Sequence, residues 1–411
     1  MKPTCNCRSC GAPLSLEFAD LGMSPVSNAF VKMDDAARGE VFYPLRVSVC
    51  EQCWLVQLDD VTRADLHFNE DYVYFSSFST SWLDHARRYV ERMTARFGLS
   101  AGSRVMELAS NDGYLLQYFV QAGVPCVGIE PTANTAAAAR EKGVESREMF
   151  FGRESAAKLA ADGWKVDLLL GNNVLAHVPD INDFVGGMPV VLNLEGVITL
   201  EFPHLLRLIE NNQFDTIYHE HYSYLSLTAL QPIFSRAGLR VFDIEHLPTH
   251  GGSLRVFACH QGASHAASAA VDECLALENV AGLAEPRAYT GFAEKVRETK
   301  RALLAHLIDA KRAGRRIAAY GAAAKGNTLL NYCGAGVDFI DYVVDRNPVK
   351  QGCLLPGTRI PVYGPEKIME TRPDELLILP WNIRDEVMEQ MAEIRTWGGR
   401  FVVPIPRVEV L

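Results

Sequence analysis

From Arg104 onward this chain of 411 residues alternates short apolar runs with helix-like stretches, and that alternation restricts its fold more than any other feature. Runs at 105–108, 126–129, 166–170 and 190–200 have the length and apolar content of buried strands, with helical spacing between the first several. Strands covered on both faces and separated by helices stack as a parallel sheet between helical layers, so a doubly wound α/β domain is expected. Two later runs, 241–244 and 254–259, are joined around Gly251-Gly252 and are expected to close that sheet as an antiparallel pair. An Ala-rich, mostly helical stretch from about 262 to 314 then leads to a second α/β unit opening at 316–320. Its later strands are expected at 340–344, 376–379 and 401–403, with helices near 365–370 and 384–395. An amphipathic helix from about 81 to 97 precedes the first unit.

The first 53 residues follow a different rule, because they hold five of the ten cysteines. Cys7-Arg8-Ser9-Cys10 and Cys50-Glu51-Gln52-Cys53 are two C-x-x-C pairs 39 residues apart, the arrangement of a four-thiolate tetrahedral zinc site. Cys5 is a rival first ligand, since C-x4-C spacing is also tolerated; Cys7 is preferred for its closer pairing with Cys10 and for Gly11, which suits the tight turn. Two such motifs together count against a redox pair. Four cysteines leave no open coordination position, so a single structural zinc is expected, with a strand over 41–49 feeding the second pair.

Composition removes several classes of function. Hydrophobic residues make up 48% of the chain, enough for folded cores, and the net charge of -10 is ill suited to a phosphate backbone, so nucleic acid is not an expected partner. The N-terminus lacks the apolar segment of a signal peptide, and no run reaches the length of a membrane span. A cytoplasmic protein without membrane contacts, and a monomer, is expected.

Within the first α/β unit, 105–116 has the form strand, small-residue loop, helix, which brings a ligand against backbone at a helix N-terminus. About twenty residues on, Glu130 ends the second strand beside Pro131, where a carboxylate binds both hydroxyls of a ribose. The G-x-G-x-x-G of dinucleotide folds is absent. Glu107 on the first strand, the turn Asn111-Asp112-Gly113 and Glu130 resemble instead the class I S-adenosylmethionine-dependent methyltransferases. Ala109 stands where that family has Gly, a change expected to be tolerated if φ there stays negative and to weaken binding otherwise. Met149 and Phe150 are expected to offer an apolar face to adenine. Asn172, Asn173 and His177, after the fourth strand, resemble the segment lining the methyl-donor end.

The densest acid-base chemistry lies at 218–225. Of only 11 His in the chain, His204, His219 and His221 fall within eighteen positions. Imidazole titrates near neutrality and a neighbouring carboxylate can fix its tautomer. With the cysteine module, the cofactor loop, 214–221, 249–255 and 321–332 taken together, the whole chain resembles the nucleotide-sugar C-methyltransferases, which add a methyl branch to 4-keto-6-deoxy sugars in antibiotic deoxysugar biosynthesis.

The resemblance implies three parts: a zinc-binding domain over 1–70, an S-adenosylmethionine-dependent methyltransferase domain over 71–261, and a C-terminal α/β domain over 262–411 that binds the nucleotide sugar. It implies that a ketone at C4 acidifies the adjacent carbon, that a base removes the proton, and that the enolate takes the methyl group. C3 is the expected carbon and C5 the alternative, on a dTDP or GDP carrier. By analogy His221 is the base, positioned by Glu220, with Tyr218 bonding the sugar or the developing oxyanion. His177 is the competing base, or orients the ketone. His219 is assigned to structure. Tyr72 is expected to close over the site, with Tyr74 an equal choice.

In the C-terminal unit, small residues at a helix N-terminus with Lys325, Arg346 and Lys350 are expected to hold the pyrophosphate, a solvated Lys350 being the alternative, and Asn327 is a further candidate substrate contact. Ser253, beside two glycines, is a candidate substrate contact. Two rivals stand beside this reading. A nicotinamide-dependent nucleotide-sugar reductase or epimerase would use Asp345 on the ribose; a catalytically inactive zinc-ribbon interaction protein would have no cofactor pocket.

Overall fold

The computed structural model describes residues 6–59 and 75–411. The cysteine module opens with β1 (Leu16–Ser24), β2 (Val31–Lys32), β3 (Tyr43–Val49) and β4 (Val56–Leu58). β1, β3 and β4 form an antiparallel sheet whose inward side chains, Phe18, Leu45 and Val47, are buried. Phe18 stacks on Phe292 with ring centroids 4.2 Å apart, so the apolar face of this small sheet is covered by the long C-terminal helix Phe292–Arg312.

The expected amphipathic helix is observed at Thr80–Phe97, capped by the Ser79 side chain and by Gly98 in the left-handed conformation. The central sheet follows with β5 (Val105–Leu108), β6 (Cys126–Glu130), β7 (Glu145–Glu148), β8 (Val166–Asn172) and β9 (Leu192–Pro203). After β10 (Ser223–Tyr224), it closes with β11 (Leu239–Leu247) and β12 (Ser253–His260). Its order is β7-β6-β5-β8-β9-β12-β11, parallel through β9, with β12 antiparallel to both neighbours. The strand expected from 190 begins at Leu192 instead. Val190 and Val191 finish the helix Ile181–Val191, where Val191 is buried, so tertiary packing overrides their β-branched preference. β7 carries the polar sequence Glu-Ser-Arg-Glu and had no apolar signature because it is an edge strand, with one neighbour and two exposed side chains.

The C-terminal unit contains β13 (Ile317–Tyr320), β14 (Val343–Val344), β15 (Cys353–Leu354), β16 (Val362–Tyr363), β17 (Glu375–Ile378), β18 (Arg400–Val403) and β19 (Glu409–Val410). Six of them form a sheet in the order β16-β14-β13-β17-β18-β19, parallel except for β19. In both large sheets the order reverses beside the first strand, the place where this topology can leave a crevice at the carboxyl ends of the strands.

The three parts are stitched together by strands the sequence pattern did not assign. β10, directly after the histidine cluster, pairs with β4 and becomes the fourth strand of the cysteine module's sheet. β2 pairs with β15 of the C-terminal unit. Two-residue strands carry too little pattern to be read from sequence, yet these two fix how the three parts meet.

Candidate active site

The carboxyl ends of β5, β6, β8 and β9 and the loop after β13 surround one cavity of about 660 Å³. On its first wall the loop after β5 passes through three left-handed residues, Ala109 (φ 55°), Asn111 (φ 47°) and Gly113 (φ 73°). The condition set for tolerating Ala109, a negative φ, is therefore not met. The loop turns so sharply into its helix that an L-residue is held where Gly is favoured, at roughly 1 kcal/mol of strain. Gly113 is required for space as well, since a Cβ there would lie 3.1 Å from side-chain carbons of Ala139 and Val144.

The Asn111 N–H donates to Glu130 Oε2 at 2.9 Å and the Thr132 N–H to Oε1 at 2.9 Å, which aims the carboxyl at the cavity from the end of β6. Burial raises its pKa. The Asn111 side chain accepts from the Ser76 N–H at 2.9 Å, so the segment before helix Thr80–Phe97 is seated on the cofactor loop. Met149 and Phe150 line the apolar side. Past β8, Asn173 is left-handed (φ 54°), and the side-chain oxygens of Asn172 and Asn173 are buried with no partner among the described residues. A carboxyl at the end of β6 beside an apolar face suits a nucleoside, which matches S-adenosylmethionine.

The second wall is the histidine cluster. After the short turn Phe214–Thr216, His221 Nδ1 lies 2.8 Å from the Thr216 carbonyl and Nε2 lies 2.8 Å from Tyr218 Oη. A carbonyl only accepts, so Nδ1 carries the proton and the Nε2 lone pair accepts from the Tyr218 hydroxyl. Burial, then the nearby His177, hold His221 well below its ordinary pKa. The His177 ring meets it edge-on at 4.6 Å, and burial lowers that pKa to about 4. Both rings are thus neutral at physiological pH.

Contrary to expectation, no hydrogen bond joins the Glu220 carboxyl to His221 among the described residues, and the Thr216 carbonyl holds the ring instead. The Glu220 carboxyl accepts from Asn28 Nδ2 of the cysteine module at 2.7 Å. Its pKa is pushed up to about 7 by burial, against the pull of Asn28 and Lys350. His219 turns away, with Nε2 3.2 Å from the Pro44 carbonyl.

The C-terminal unit supplies the third wall. Lys325 lies in the cavity with Nζ 2.7 Å from Asn382 Oδ1 and 5.1 Å from the Trp381 ring centroid. Lys350, a pyrophosphate candidate whose alternative was a solvated side chain, is 8% exposed, lines the cavity and donates to the Ala322 carbonyl at 2.9 Å. Its aliphatic stem allows that burial because the ammonium finds an acceptor.

Five expected contacts do not line this cavity. Glu107 is buried behind the loop, where desolvation keeps its carboxyl protonated well above the usual range. Gly113 shapes the loop from beneath. The Ser253 hydroxyl donates to the Thr249 carbonyl at 3.0 Å and closes its own turn. Asn327 is buried in helix Ala324–Cys333, where its carbonyls accept from Asn331. Arg346 reaches toward Glu386 at 3.9 Å, its side chain 55% exposed. Tyr72, Tyr74 and Cys5 lie outside the described residues.

Conversely, Asn28, Trp82, Tyr114 and His250 line the cavity without having been singled out as ligands. His250 belongs to the quoted run 249–255, and Asn173 Nδ2 donates to its Nε2 at 2.9 Å. Asn28 carried no signal, because a lone Asn in a loop has none.

At the metal site, the sulfurs of Cys7, Cys10, Cys50 and Cys53 all lie within 4.8 Å of one another. Cys7 and Cys53 are 3.5 Å apart, as are Cys10 and Cys50, near the roughly 3.8 Å edge of a tetrahedral zinc-thiolate site. Gln57 Nε2 donates to Cys7 Sγ at 3.1 Å, the kind of outer bond that orients a ligand. The four thiols fit zinc.

Three family models match successive stretches of the chain. Residues 7–68 match the family described as "Putative zinc binding domain", 82–244 a "Methyltransferase domain", and 248–406 a "C-methyltransferase C-terminal domain". A ubiquinone biosynthesis O-methyltransferase of Rhodopseudomonas palustris is 26% identical over 117 residues, 28% of this chain and 46% of that protein. The magnesium protoporphyrin IX methyltransferase of Synechocystis, solved with bound S-adenosylmethionine, aligns with 43% of this chain and 79% of its own at 16% identity and a TM-score of 0.34. Among the described residues no helix is long and apolar enough to cross a membrane. The C-methyltransferase NovU of Streptomyces niveus is 39% identical over 414 residues, covering 100% of this chain and 98% of that protein. The chain therefore belongs to the S-adenosylmethionine-dependent C-methyltransferases of the NovU type, with a zinc-binding N-terminal domain.

Proposed function

We propose that the acceptor is a nucleotide-linked 4-keto-6-deoxy sugar, methylated on a carbon next to the ketone, C3 first and C5 as the alternative. The observation that carries this reading is the meeting, in one cavity, of a neutral His221 lone pair, a phenol bonded to it and two lysines facing from the C-terminal unit. C-methylation needs a carbanion, and a ketone makes one accessible to an uncharged base of this kind.

His221 Nε2 takes the proton from the carbon, while its Nδ1–H bond to the Thr216 carbonyl keeps that nitrogen the acceptor. The Tyr218 hydroxyl, which occupies the lone pair in the open cavity, turns to the ketone oxygen and donates to the developing oxyanion. S-adenosylmethionine, held by Glu130, Asn172 and Asn173, supplies the electrophilic methyl group. His177 packs against His221 and fixes its ring plane, and Glu220 accepts from a sugar hydroxyl. Lys325 and Lys350 lie on the side open to a pyrophosphate.

Mass spectrometry of the protein with S-adenosylmethionine and a panel of dTDP- and GDP-linked 4-keto-6-deoxy sugars, with and without a 3-amino group, run in D2O, tests the reading. A methyl gain on one sugar supports it, and fragmentation locates the carbon. Absence of methyl gain and of deuterium uptake on every sugar overturns it. For the base, His221→Asn is expected to lower turnover by about 1000-fold while leaving S-adenosylmethionine affinity within twofold; a wild-type rate removes His221 from that role.

A further inference from the structure

We propose that Asn28 of the zinc-binding domain is a positioning residue for the reaction, holding the Glu220 carboxyl at the cavity wall so that this domain completes the reaction site.

Asn28 lies on the loop between β1 and β2, and both ends of that loop are anchored. β1 pairs with β3 in the cysteine module, whereas β2 pairs with β15 of the C-terminal unit. Inside the loop the Ala29 N–H donates to the Val26 carbonyl at 3.1 Å and the Phe30 N–H to the Asn28 carbonyl at 2.9 Å. A backbone fixed in this way gives the Asn28 amide a defined reach. Its Nδ2 donates to Glu220 Oε1 at 2.7 Å, and among the described residues no other group hydrogen-bonds that carboxyl.

Two residues further on, the Phe30 ring centroid lies 5.5 Å from Lys350 Nζ, and Asn28, Glu220 and Lys350 all line the cavity. One carboxyl is thus approached by a donor from the first part of the chain and a cation from the last. Glu220 sits on the segment that β10 ties to β4, so the same small sheet sets both ends of the Asn28–Glu220 bond.

The bond has a chemical consequence. A donor on Oε1 favours the carboxylate and leaves Oε2 to accept from a ligand. The titratable groups acting at Glu220 are Lys350 and His177, whose ring bonds the Glu220 backbone, while His219 and His221 are its neighbours along the chain. Burial lowers all three histidines, which leaves Lys350 and Asn28 to oppose the desolvation that lifts the carboxyl to about 7. Loss of Asn28 therefore moves this ionisation upward, and a carboxylate in its place moves it further.

The inference rests on Glu220 acting at the cavity in its ionised form. Three variants, Asn28→Ala, Asn28→Asp and Glu220→Gln, are compared for zinc content, S-adenosylmethionine affinity and the pH profile of kcat/KM. The Glu220 titration is also followed by infrared difference spectroscopy, which needs no sugar. Expected for Asn28→Ala are wild-type zinc content, cofactor affinity within twofold, kcat/KM about tenfold lower, and an acid limb moved toward higher pH. Asn28→Asp moves limb and titration further in the same direction, which a merely structural loss would not do. A wild-type limb and titration in both Asn28 variants, beside a displaced limb in Glu220→Gln, overturns the assignment of Asn28 alone. A wild-type limb in all three overturns the role of Glu220 on which it rests.

Discussion

The central and C-terminal sheets share the arrangement of their first five strands, yet only the central one keeps an open crevice where the order reverses. The likeness extends to hydrogen bonds. Glu130 at the end of β6 accepts from the Asn111 N–H at 2.9 Å, and Asp345 after β14 accepts from the Ala322 N–H at 2.8 Å, each from the loop that follows the first strand. What differs is the residue pair at the carboxyl end of the fourth strand. In the central sheet it is Asn172-Asn173, both of which line the cavity. In the C-terminal sheet Pro380 and Trp381 fill the corresponding space, and a Cβ on Gly321 would lie 2.5 Å from the Pro380 ring. Asp345 is further engaged by the Asn347 N–H at 2.8 Å and by Lys350 at 3.8 Å. The nicotinamide-dependent rival needs a nucleotide in that filled crevice, and the packing of Pro380 argues against it. One topology thus gives a cofactor pocket in one place and a wall in the other, because ligand binding depends on what occupies the crevice.

The largest effect that would sharpen this contrast is expected from Trp381→Ala. Its ring is 9% exposed and its Nε1 donates to Asp215 at 2.7 Å, so truncation leaves both a cavity and a buried acceptor. A loss of about 3–5 kcal/mol in chemical denaturation is expected. If the opened crevice then bound a second nucleotide in calorimetry, the contrast between the two sheets would be broken.

Next is Glu130→Ala, expected to weaken S-adenosylmethionine binding by about 100-fold through loss of two charge-assisted hydrogen bonds. The counterpart Asp345→Ala is expected to leave that affinity unchanged; comparable losses in the two would mean that the C-terminal loop also touches the cofactor.

Smaller again is Lys325→Ala, for which a KM increase of about tenfold toward the sugar nucleotide is expected, against less than twofold for the outward-facing Arg346→Ala. Equal effects of the two would move the pyrophosphate away from the cavity wall described.

The smallest change is Ala109→Gly. Relief of the left-handed strain is expected to stabilise the protein by up to about 1 kcal/mol, partly offset by the greater freedom of Gly in the unfolded chain. Thermal denaturation reads it, and a loss of stability would show that the Ala109 methyl packs favourably enough to outweigh its backbone.

How much of this was readable beforehand follows from how local each signal is. The strands β5, β6 and β8 were legible because a buried parallel strand is apolar along its length, and the zinc ligands because C-x-x-C spacing is a short-range geometric requirement. β7 was hidden by its polar edge position. The site residues divided in the same way. Glu130 and Asn172 follow strand ends, where a ligand meets a doubly wound sheet, so their placement at the cavity could be reasoned from order in the chain. Lys350 and Arg346 are four residues apart in one loop, and nothing in composition told which would turn inward; the acceptor at Ala322 decides it. Glu220, adjacent to His221, was expected to be its partner, yet its carboxyl bonds Asn28 from a distant part of the chain.

By itself the sequence determined the three-part organisation, the four thiolates, the strand–loop–helix that lines the cavity and the cluster of imidazole and phenol, since each is fixed by spacing along the chain. The tertiary structure alone decided that β10 and β2 lace the parts together, that the C-terminal crevice is closed by Pro380 and Trp381, and that Asn28 meets Glu220 across 192 positions. The reason is physical. Periodicity and motif spacing record interactions among near neighbours, whereas the protonation and aim of a buried carboxyl are set by whichever distant groups the packed chain brings within hydrogen-bonding distance.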